Sequence, residues 1–255
     1  MCQIITDDWW KDAFDKYYFK IYGKKTAQEQ TTREVISLEN VLQLAKGYKV
    51  LDLGCGYGRH AIPLARKGYY VVGADFSEFL LLKAQEDVTK NKLQEAIHFI
   101  RCAMRNPPFK SEFDAVINTF TSFGFFPDDE TNFEVIRQIS NSLKAHGRFL
   151  LDFTNSYYPR VQKDFSVQGD LISVEEETFD PLSGKAIVHW QIFKEGKIVK
   201  DVVCKFTRYT HRELERMFSE AGLGIETVYG DWDYSPFVYN SPRMIIIAVK
   251  GMKEI

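Results

Sequence analysis

The stretch VLDLGCGYGRH, Val50 to His60, sets three glycines at every second position directly behind an apolar run. Its first half reads as a short buried strand, Lys49 to Leu53, so Gly54, Gly56 and Gly58 form the turn leaving that strand's carboxyl end. Glycine tolerates positive φ and lacks the Cβ that would hold a ligand off the backbone. Open α/β sheets take ligands in the crevice beyond their strand ends. A purely structural tight turn would use the same residues, and the spacing narrows the choice. A dinucleotide fingerprint reads GxGxxG, with the pyrophosphate on the helix N-terminus. Here the spacing is GxGxG, Arg59 stands where the last glycine of that fingerprint would fall, and Asp52 precedes the turn. A carboxylate there suits a cationic ligand group better than a diphosphate.

Outward from this turn, helical and strand-like segments alternate. A helix from about Arg59 to Lys67, with Pro63 in or near its first turn, ends at Gly68 and leads into a strand from Tyr69 to Ala74. A helix from Glu78 to Asn91 and strands from Ile97 to Cys102 and Asp114 to Thr119 follow. The next helix, Asp129 to Ala145, aligns Phe133, Ile136, Ile139 and Leu143 on one face and is expected to stop at Gly147 before a strand from Arg148 to Phe153. Such alternation predicts a parallel, doubly wound sheet. More than fifty residues then separate Phe153 from the capping-box start THRE at Thr210, where an ordinary connection takes roughly 2 to 6. Within them Asp170 to Phe179, Lys185 to Phe193 and Lys197 to Tyr209 read as an inserted antiparallel sheet of about three strands. A helix from Thr210 to Ala221 and strands near Gly224 to Tyr229 and Arg243 to Lys250 resume the first pattern. Residues 1–46 form an aromatic-rich helical lead-in.

Composition is that of an ordinary globular chain, 45% apolar and 27% charged. With 33 basic and 35 acidic residues the net charge is -2, so no global field draws the protein to phosphate backbones or an anionic membrane. The longest apolar run, Met244 to Val249, falls far short of the ~20 residues of a membrane helix. MCQIITDDWW lacks the basic start and apolar centre of a signal peptide. These features predict a cytoplasmic protein. Cys2, Cys55, Cys102 and Cys204 show no metal-binding spacing and are expected as reduced thiols, three of them buried.

Asp75 ends the second strand in YYVVGADFS. A carboxylate there can accept hydrogen bonds from both hydroxyls of a ribose, with Phe76 against an adenine face; alternatively Asp75 or Ser77 caps the next helix. Taken together, VLDLGCGYGRHAIPLARKGYYVVGADFSEFLLLKA, FDAVINTFTSFGFF and LKAHGRFLLDFTN resemble the class I S-adenosylmethionine (SAM)-dependent methyltransferases. The likeness is close over residues 46 to 153 and looser over 210 to 250. The lead-in, TSFGFF and YGDWDYSPFVYNSPRMIIIAVK are similar to small-molecule members, including amino-sugar N-methyltransferases and glycine N-methyltransferase relatives. The resemblance implies an α/β, Rossmann-like doubly wound sheet of seven strands, the last antiparallel, with the inserted antiparallel β subdomain. The expected organisation is a lead-in or lid over 1–46, a SAM-binding domain over 47–153 and 210–255, and a substrate-side insertion over 154–209. The implied cofactor contacts are Tyr18, Asp52, Gly54, Cys55, Gly56, Arg59, Asp75, Phe76, Ala103, Met104, Thr119 and Phe120. Among them the glycines line the methionine portion, Asp75 holds the ribose, and residues 102 to 104 edge the adenine. One position departs from the family pattern: RCAMR carries Ala103 where an acidic residue commonly accepts a hydrogen bond from the adenine amino group.

Methyl transfer from a sulfonium needs no metal, and fixing the nucleophile in a dry, aligned site supplies much of the acceleration. An amine acceptor must be neutral, whereas a hydroxyl or carbon acid calls for a base. Ser122 and His189 are the candidate catalytic residues, with Thr121 and Phe123 beside Ser122 at the acceptor. His189 shares the mixed face of its strand with Gln191 and either touches substrate or lies at the surface. His146 is read at a helix C-terminus. Arg59 and His60 lie near the SAM carboxylate. Arg208 and Arg243 either bind an anionic substrate group or form ion pairs. Trp9, Trp10, Tyr17, Tyr18 and Tyr22 either roof the cofactor or pack on the sheet. The expected partner is a small-molecule acceptor, with no nucleic acid and no membrane, in a monomer or homodimer. An RNA or protein methyltransferase and a non-catalytic SAM-binding protein are the alternatives.

Overall fold

A computed structural model describes residues 8–25, 28–159 and 162–251. In chain order the elements are α1 (Trp10–Ala13), α2 (Lys16–Lys25), α3 (Gln28–Val41), β1 (Lys49–Leu53), α4 (Ala61–Arg66), β2 (Tyr70–Asp75), α5 (Glu78–Lys90), β3 (Ile97–Arg101), β4 (Phe113–Asn118), α6 (Asp129–Ser142) and β5 (Leu143–Thr154). They continue as β6 (Lys163–Gln168), β7 (Leu171–Asp180), β8 (Lys185–Lys194), β9 (Lys197–Thr207), α7 (His211–Glu220), β10 (Leu223–Tyr229) and β11 (Arg243–Lys250).

The main sheet runs β10-β11-β5-β4-β1-β2-β3. Strands β1 to β5 are parallel, and β11 lies antiparallel between β5 and β10. This is the expected seven-stranded, doubly wound sheet. The chain walks outward from β1 to β3 and then returns to place β4 on the other side of β1, so the crevice opens between the ends of β1 and β4. Side chains alternate across the sheet. Leu51 and Leu53 pack with Phe133, Ile136 and Ile139 of α6 and Leu214 and Phe218 of α7. Val50 faces the opposite layer, with Leu38 of α3 and Ile62 and Leu64 of α4. The capping box at Thr210 forms as read, its hydroxyl accepting from the Glu213 amide while the Glu213 carboxylate takes the Thr210 amide.

The insertion is a four-stranded antiparallel sheet, β6-β7-β8-β9, one strand more than expected. The extra strand, KDFSVQ, pairs on one side alone, and Phe165 and Val167 on it are exposed; an edge strand of this kind carries no buried apolar face to announce it. Helices α1 and α2 pack on this second sheet through Trp9, Ala13 and Ile21 against Leu171, Trp190 and Ile192. The lead-in thus divides, its first part on the small sheet and α3 on the large one.

Helix α6 also ends earlier than read. Leu143 leaves the helix to pair with Phe113, and the register shifts before Ala115 meets Arg148. His146, at φ 60°, lies inside β5 rather than at a helix C-terminus. Gly147 marks a close approach, since a Cβ there would lie 3.2 Å from the Asp114 carbonyl oxygen. Cys55 and Cys204 are buried and Cys102 is half-buried, while Cys2 lies outside the described residues. Among the described residues no helix is long and apolar enough to cross a membrane.

The junction of the two sheets runs through Gly124. Its φ is +84°, its carbonyl accepts from the Thr207 amide at 2.8 Å, and a Cβ would overlap the Thr207 carbonyl oxygen. Gly124→Ala is therefore expected to destabilise the protein by about 2 kcal/mol or more. Urea unfolding measures it, and an unchanged midpoint would mean that the two sheets do not meet this way.

Candidate active site

Two strand ends build the crevice. The Asn118 side-chain amide, fully buried at the end of β4, donates to the Leu53 carbonyl at the end of β1 at 2.7 Å. Just beyond, Gly54 adopts φ +82°, and a Cβ on it would lie 3.0 Å from the Ser122 Cβ. That glycine is bare because the loop after β4 packs against it. Gly56, at φ +53°, donates to Asp75 Oδ2 at 2.7 Å, and the Ser77 amide donates to Asp75 Oδ1 at 2.8 Å. Ser77 is the N-cap of α5, through a bond from the Leu80 amide. Asp75 instead ties the β2 end to the glycine turn, and burial raises its carboxyl above the usual range against the pull of those amides.

A cleft of about 620 Å³ runs along these strand ends, lined by Gly54, Gly56, Asp75, Phe76, Leu80, Cys102, Ala103, Met104 and Ser122. Trp10, Phe14 and Tyr18 of the lead-in wall its other side. Trp10 meets Phe76 edge-on at 4.5 Å. The aromatic lead-in divides: Trp9 is buried with its indole donating to the Lys205 carbonyl, whereas Trp10 and Tyr18 line the cleft.

At the other end, a pocket of about 430 Å³ gathers Cys55, Tyr57, Arg59, His60, Thr119 and Phe120 with Tyr18 and Tyr22. Its charges are organised by Glu34 on α3, a residue the sequence reading passed over. Glu34 binds Arg59 and accepts from His60 Nε2 at 2.8 Å, while His60 Nδ1 meets the Thr119 hydroxyl at 3.1 Å. Burial pushes the Glu34 carboxyl up, but hydrogen bonds and charge from His60 and Arg59 outweigh it and hold it at about 2. Asp52 sits inside β1, 1% exposed, and among the described residues neither oxygen has a close hydrogen-bond partner. Burial, opposed by the nearby His60, pushes its carboxyl up to about 6. It does not line the cleft.

A third space, about 1230 Å³, lies between the lead-in, the main sheet and the second sheet. Tyr18 and Ser122 line both it and the cleft. Its floor is the loop after β4, where Phe120 and Thr121 both take left-handed backbone conformations, φ 58° and 57°. Buried Asp152 of β5 holds them: its carboxylate accepts from the Phe120 amide at 2.8 Å and binds Arg243, and its carbonyl accepts from the Thr121 amide at 3.0 Å. The far wall is Val188, Trp190, Cys204, Glu175 and Glu177.

Of the candidate residues, Tyr18, Gly54, Cys55, Gly56, Arg59, Asp75, Phe76, Ala103, Met104, Thr119, Phe120 and Ser122 converge on these adjoining pockets. His189 does not. Val188 and Trp190 point inward, so strand alternation turns His189 outward, where it pairs with Asp201 at 2.6 Å. Phe123 is a correction as well, since it is 1% exposed and packs on Phe153 and Tyr209 rather than at the acceptor. Arg208 and Arg243 are ion-paired, to Glu177 and Asp152. Glu34, Asp152 and Glu175 carried no local signal, because each acquires its partners only from distant parts of the chain.

Residues 50–147 match the family described as a methyltransferase domain. Over 213 residues the chain is 27% identical to the putative methyltransferase YqeM of Bacillus subtilis, covering 80% of this chain and 84% of that protein. It is 26% identical to the cypemycin N-terminal methyltransferase of a Streptomyces species, covering 79% and 82%. Among solved structures, the CcbJ methyltransferase of Streptomyces caelestis matches with a TM-score of 0.80 at 20% identity, covering 96% of this chain and 98% of that one. The SAM-bound amino pentose methyltransferase CalS10 of Micromonospora echinaspora matches at 0.67 and 18%, covering 93% and 97%. The structural matches speak to the fold. Over residues 50–147 the chain thus matches a methyltransferase domain, on a fold that solved methyltransferases share.

The Glu34 cluster makes stability pH-dependent. A carboxyl held at about 2 against its ordinary 4.5 stabilises the fold above the ordinary value, and that contribution is lost as pH falls toward 2. Glu34→Gln is expected to lower unfolding free energy at pH 7 by roughly 2–3 kcal/mol. The gap from wild type should close between pH 5 and 2 in a denaturant series. A gap independent of pH would contradict the assignment.

Proposed function

We propose that this methyltransferase transfers the methyl group of SAM to a small-molecule acceptor held in the 1230 Å³ space between the lead-in and the second sheet. The observation that carries this reading is the shared wall: Tyr18 and Ser122 border both that space and the strand-end cleft. An acceptor in the one can therefore meet a methyl group presented from the other. A concave space walled by the chain's own insertion and lead-in suits a small molecule.

The residues present fit the cofactor. Asp75 spends one lone pair of each carboxylate oxygen on the Gly56 and Ser77 amides, which leaves acceptor capacity for two ribose hydroxyls. Phe76, Leu80 and Met104 offer apolar contacts for a flat base, with Cys102 and Ala103 at its edge. Gly54, Cys55, Gly56, Thr119 and Phe120 would surround the methionine portion. Arg59 would hold the carboxylate. When bound, SAM supplies an electrophilic methyl carbon on a sulfonium. The chain's own contribution is to orient the acceptor, through Ser122 and the strained Phe120–Thr121 loop, and to exclude water with the lead-in aromatics. His189, turned outward, has no part in this reading. The composition and three free thiols support a cytoplasmic setting.

Incubation with methyl-labelled SAM and fractionated cell extract tests the reading. Label should enter the small-molecule fraction, and label confined to RNA or protein would contradict it. A separate expectation concerns Ala103, which supplies no carboxylate to the adenine edge. Ala103→Asp is expected to tighten SAM binding up to roughly 10- to 100-fold, the scale of one charge-assisted hydrogen bond, without changing the acceptor used. Titration calorimetry checks this. Unchanged affinity would mean the adenine edge is already satisfied.

A further inference from the structure

The charges lining the acceptor space do not balance. Asp164, Glu175 and Glu177 face it, with Arg243 as the cation of the wall. Arg243 is bound to Asp152, and Glu177 is bound to Arg208. Among the described residues Glu175 makes no ion pair; its bond is to the neutral hydroxyl of Tyr22. Directly across the strand pair stands another acid, Asp164, in register with Glu175. Two carboxylates opposite each other on one face repel, and both look into the same space. Around Glu175 stand the rings of Tyr22, Tyr18 and Trp190, with Tyr22 centred 4.9 Å from Tyr18 and 6.0 Å from Trp190. Lys200 already sits over the Trp190 ring, its Nζ 5.2 Å from the centroid and paired with Asp15, which leaves the Tyr18 and Tyr22 faces beside the unmatched carboxylate as a receptor for an organic cation. A second observation points to a ligand independently. Nη2 of Arg243 is buried, lies in this wall and has no hydrogen-bond partner among the described residues; its charge being already matched, it is left to donate to a ligand oxygen.

Resting on the small-molecule reading above, we propose that the acceptor is an amine carrying an oxygen function. Its ammonium is received by Glu175 beside Tyr18 and Tyr22, and its oxygen faces Arg243. Glu175 is also the group that readies the nitrogen. An ammonium N–H bond breaks, its proton joins the Glu175 carboxylate, and the lone pair left on nitrogen takes the methyl carbon while the carbon–sulfur bonding pair stays on sulfur. The methylated product is again a cation, and the carboxylic acid returns its proton to solvent. The neighbouring groups cannot serve. Burial, with the charges of Tyr57, Asp75 and Glu175, pushes the Tyr18 hydroxyl far up, and burial with Glu175 does the same to Tyr22. Burial and Glu175 push the Cys204 thiol up to about 12. All three stay protonated. Glu177 is committed to Arg208, and His189 is outside the space.

The test compares an isosteric pair, 2-phenylethylammonium and 2-phenylethanol, binding to protein saturated with S-adenosylhomocysteine, read by tryptophan fluorescence since Trp9 and Trp190 line the space. Wild type should bind the ammonium at least about tenfold more tightly. Glu175→Gln, which keeps an acceptor for Tyr22 but loses the charge, should abolish that preference with S-adenosylhomocysteine affinity unchanged. No preference in wild type, or a preference that survives Glu175→Gln, overturns the proposal. A variant unable to bind S-adenosylhomocysteine leaves the wild-type comparison to decide. In the second arm, extract amines are acetylated with an N-hydroxysuccinimide ester before incubation with labelled SAM. Incorporation should collapse, and undiminished labelling overturns the amine assignment alone. Absence of label from untreated extract overturns the small-molecule reading itself, which the fluorescence arm does not touch. Once an amine acceptor is in hand, Glu175→Gln should lower kcat by about 10²- to 10⁴-fold with the KM for SAM unchanged.

Discussion

One hydrogen bond, from the buried Asn118 amide to the Leu53 carbonyl, joins the ends of the two strands between which the sheet order reverses. Everything at the site hangs from that junction. Because β1 and β4 end together, the glycine turn and the loop carrying Phe120, Thr121 and Ser122 must share a space too small for a side chain on Gly54. The turn's amides are tied in turn to the end of β2, through Gly54 and Cys55 to Ala74 and through Gly56 to Asp75. A cleft framed by hydrogen-bonded backbone on three strand ends places its groups on regular elements rather than on free loops, which is what positioning chemistry requires.

Electrostatics divides the site into balanced and unbalanced parts. Arg59 with Glu34, Arg243 with Asp152 and Arg208 with Glu177 are charge pairs in which both partners are largely withdrawn from water. Isolated ions in such positions would be strongly destabilising, so each needs its partner. Asp52 and Glu175 stand apart: among the described residues neither makes an ion pair, and the hydrogen bond to Glu175 comes from a phenol. Natural sites hold such unfavourable groups where a ligand compensates them. The left-handed backbone at Phe120 and Thr121 belongs with these features, since Asp152 holds a conformation those residues would not adopt unaided.

Local chemistry decided how much of this was legible beforehand. The glycine turn, the acid ending β2, the capping box at Thr210 and the alternating strands announce themselves within a few residues, and the sheet follows from their order. Strand alternation correctly separated Trp190 from His189, and it is the apolar face, with Val188 and Trp190, that lines the space between the two sheets. The nearest acid came from a neighbouring strand. Glu34, Asp152 and Glu175 have no local pattern because their partners lie far away in sequence, 25 residues in the case of Arg59, 91 for Arg243 and 153 for Tyr22. Edge strand β6 and the early end of α6 escaped for a related reason. Pairing with a partner, rather than the segment's own periodicity, set both.

The proposed arrangement is spatial: SAM bound in the strand-end cleft would place its sulfur at the Tyr18–Ser122 junction, open to the space walled by Trp190 and Glu175. A crystal structure of the S-adenosylhomocysteine complex tests it most directly. The account predicts ribose hydroxyls on Asp75, adenine beside Ala103 and Met104, and the sulfur facing that space. A product bound with its sulfur turned away from Tyr18 and Ser122, or seated outside the cleft, would contradict it.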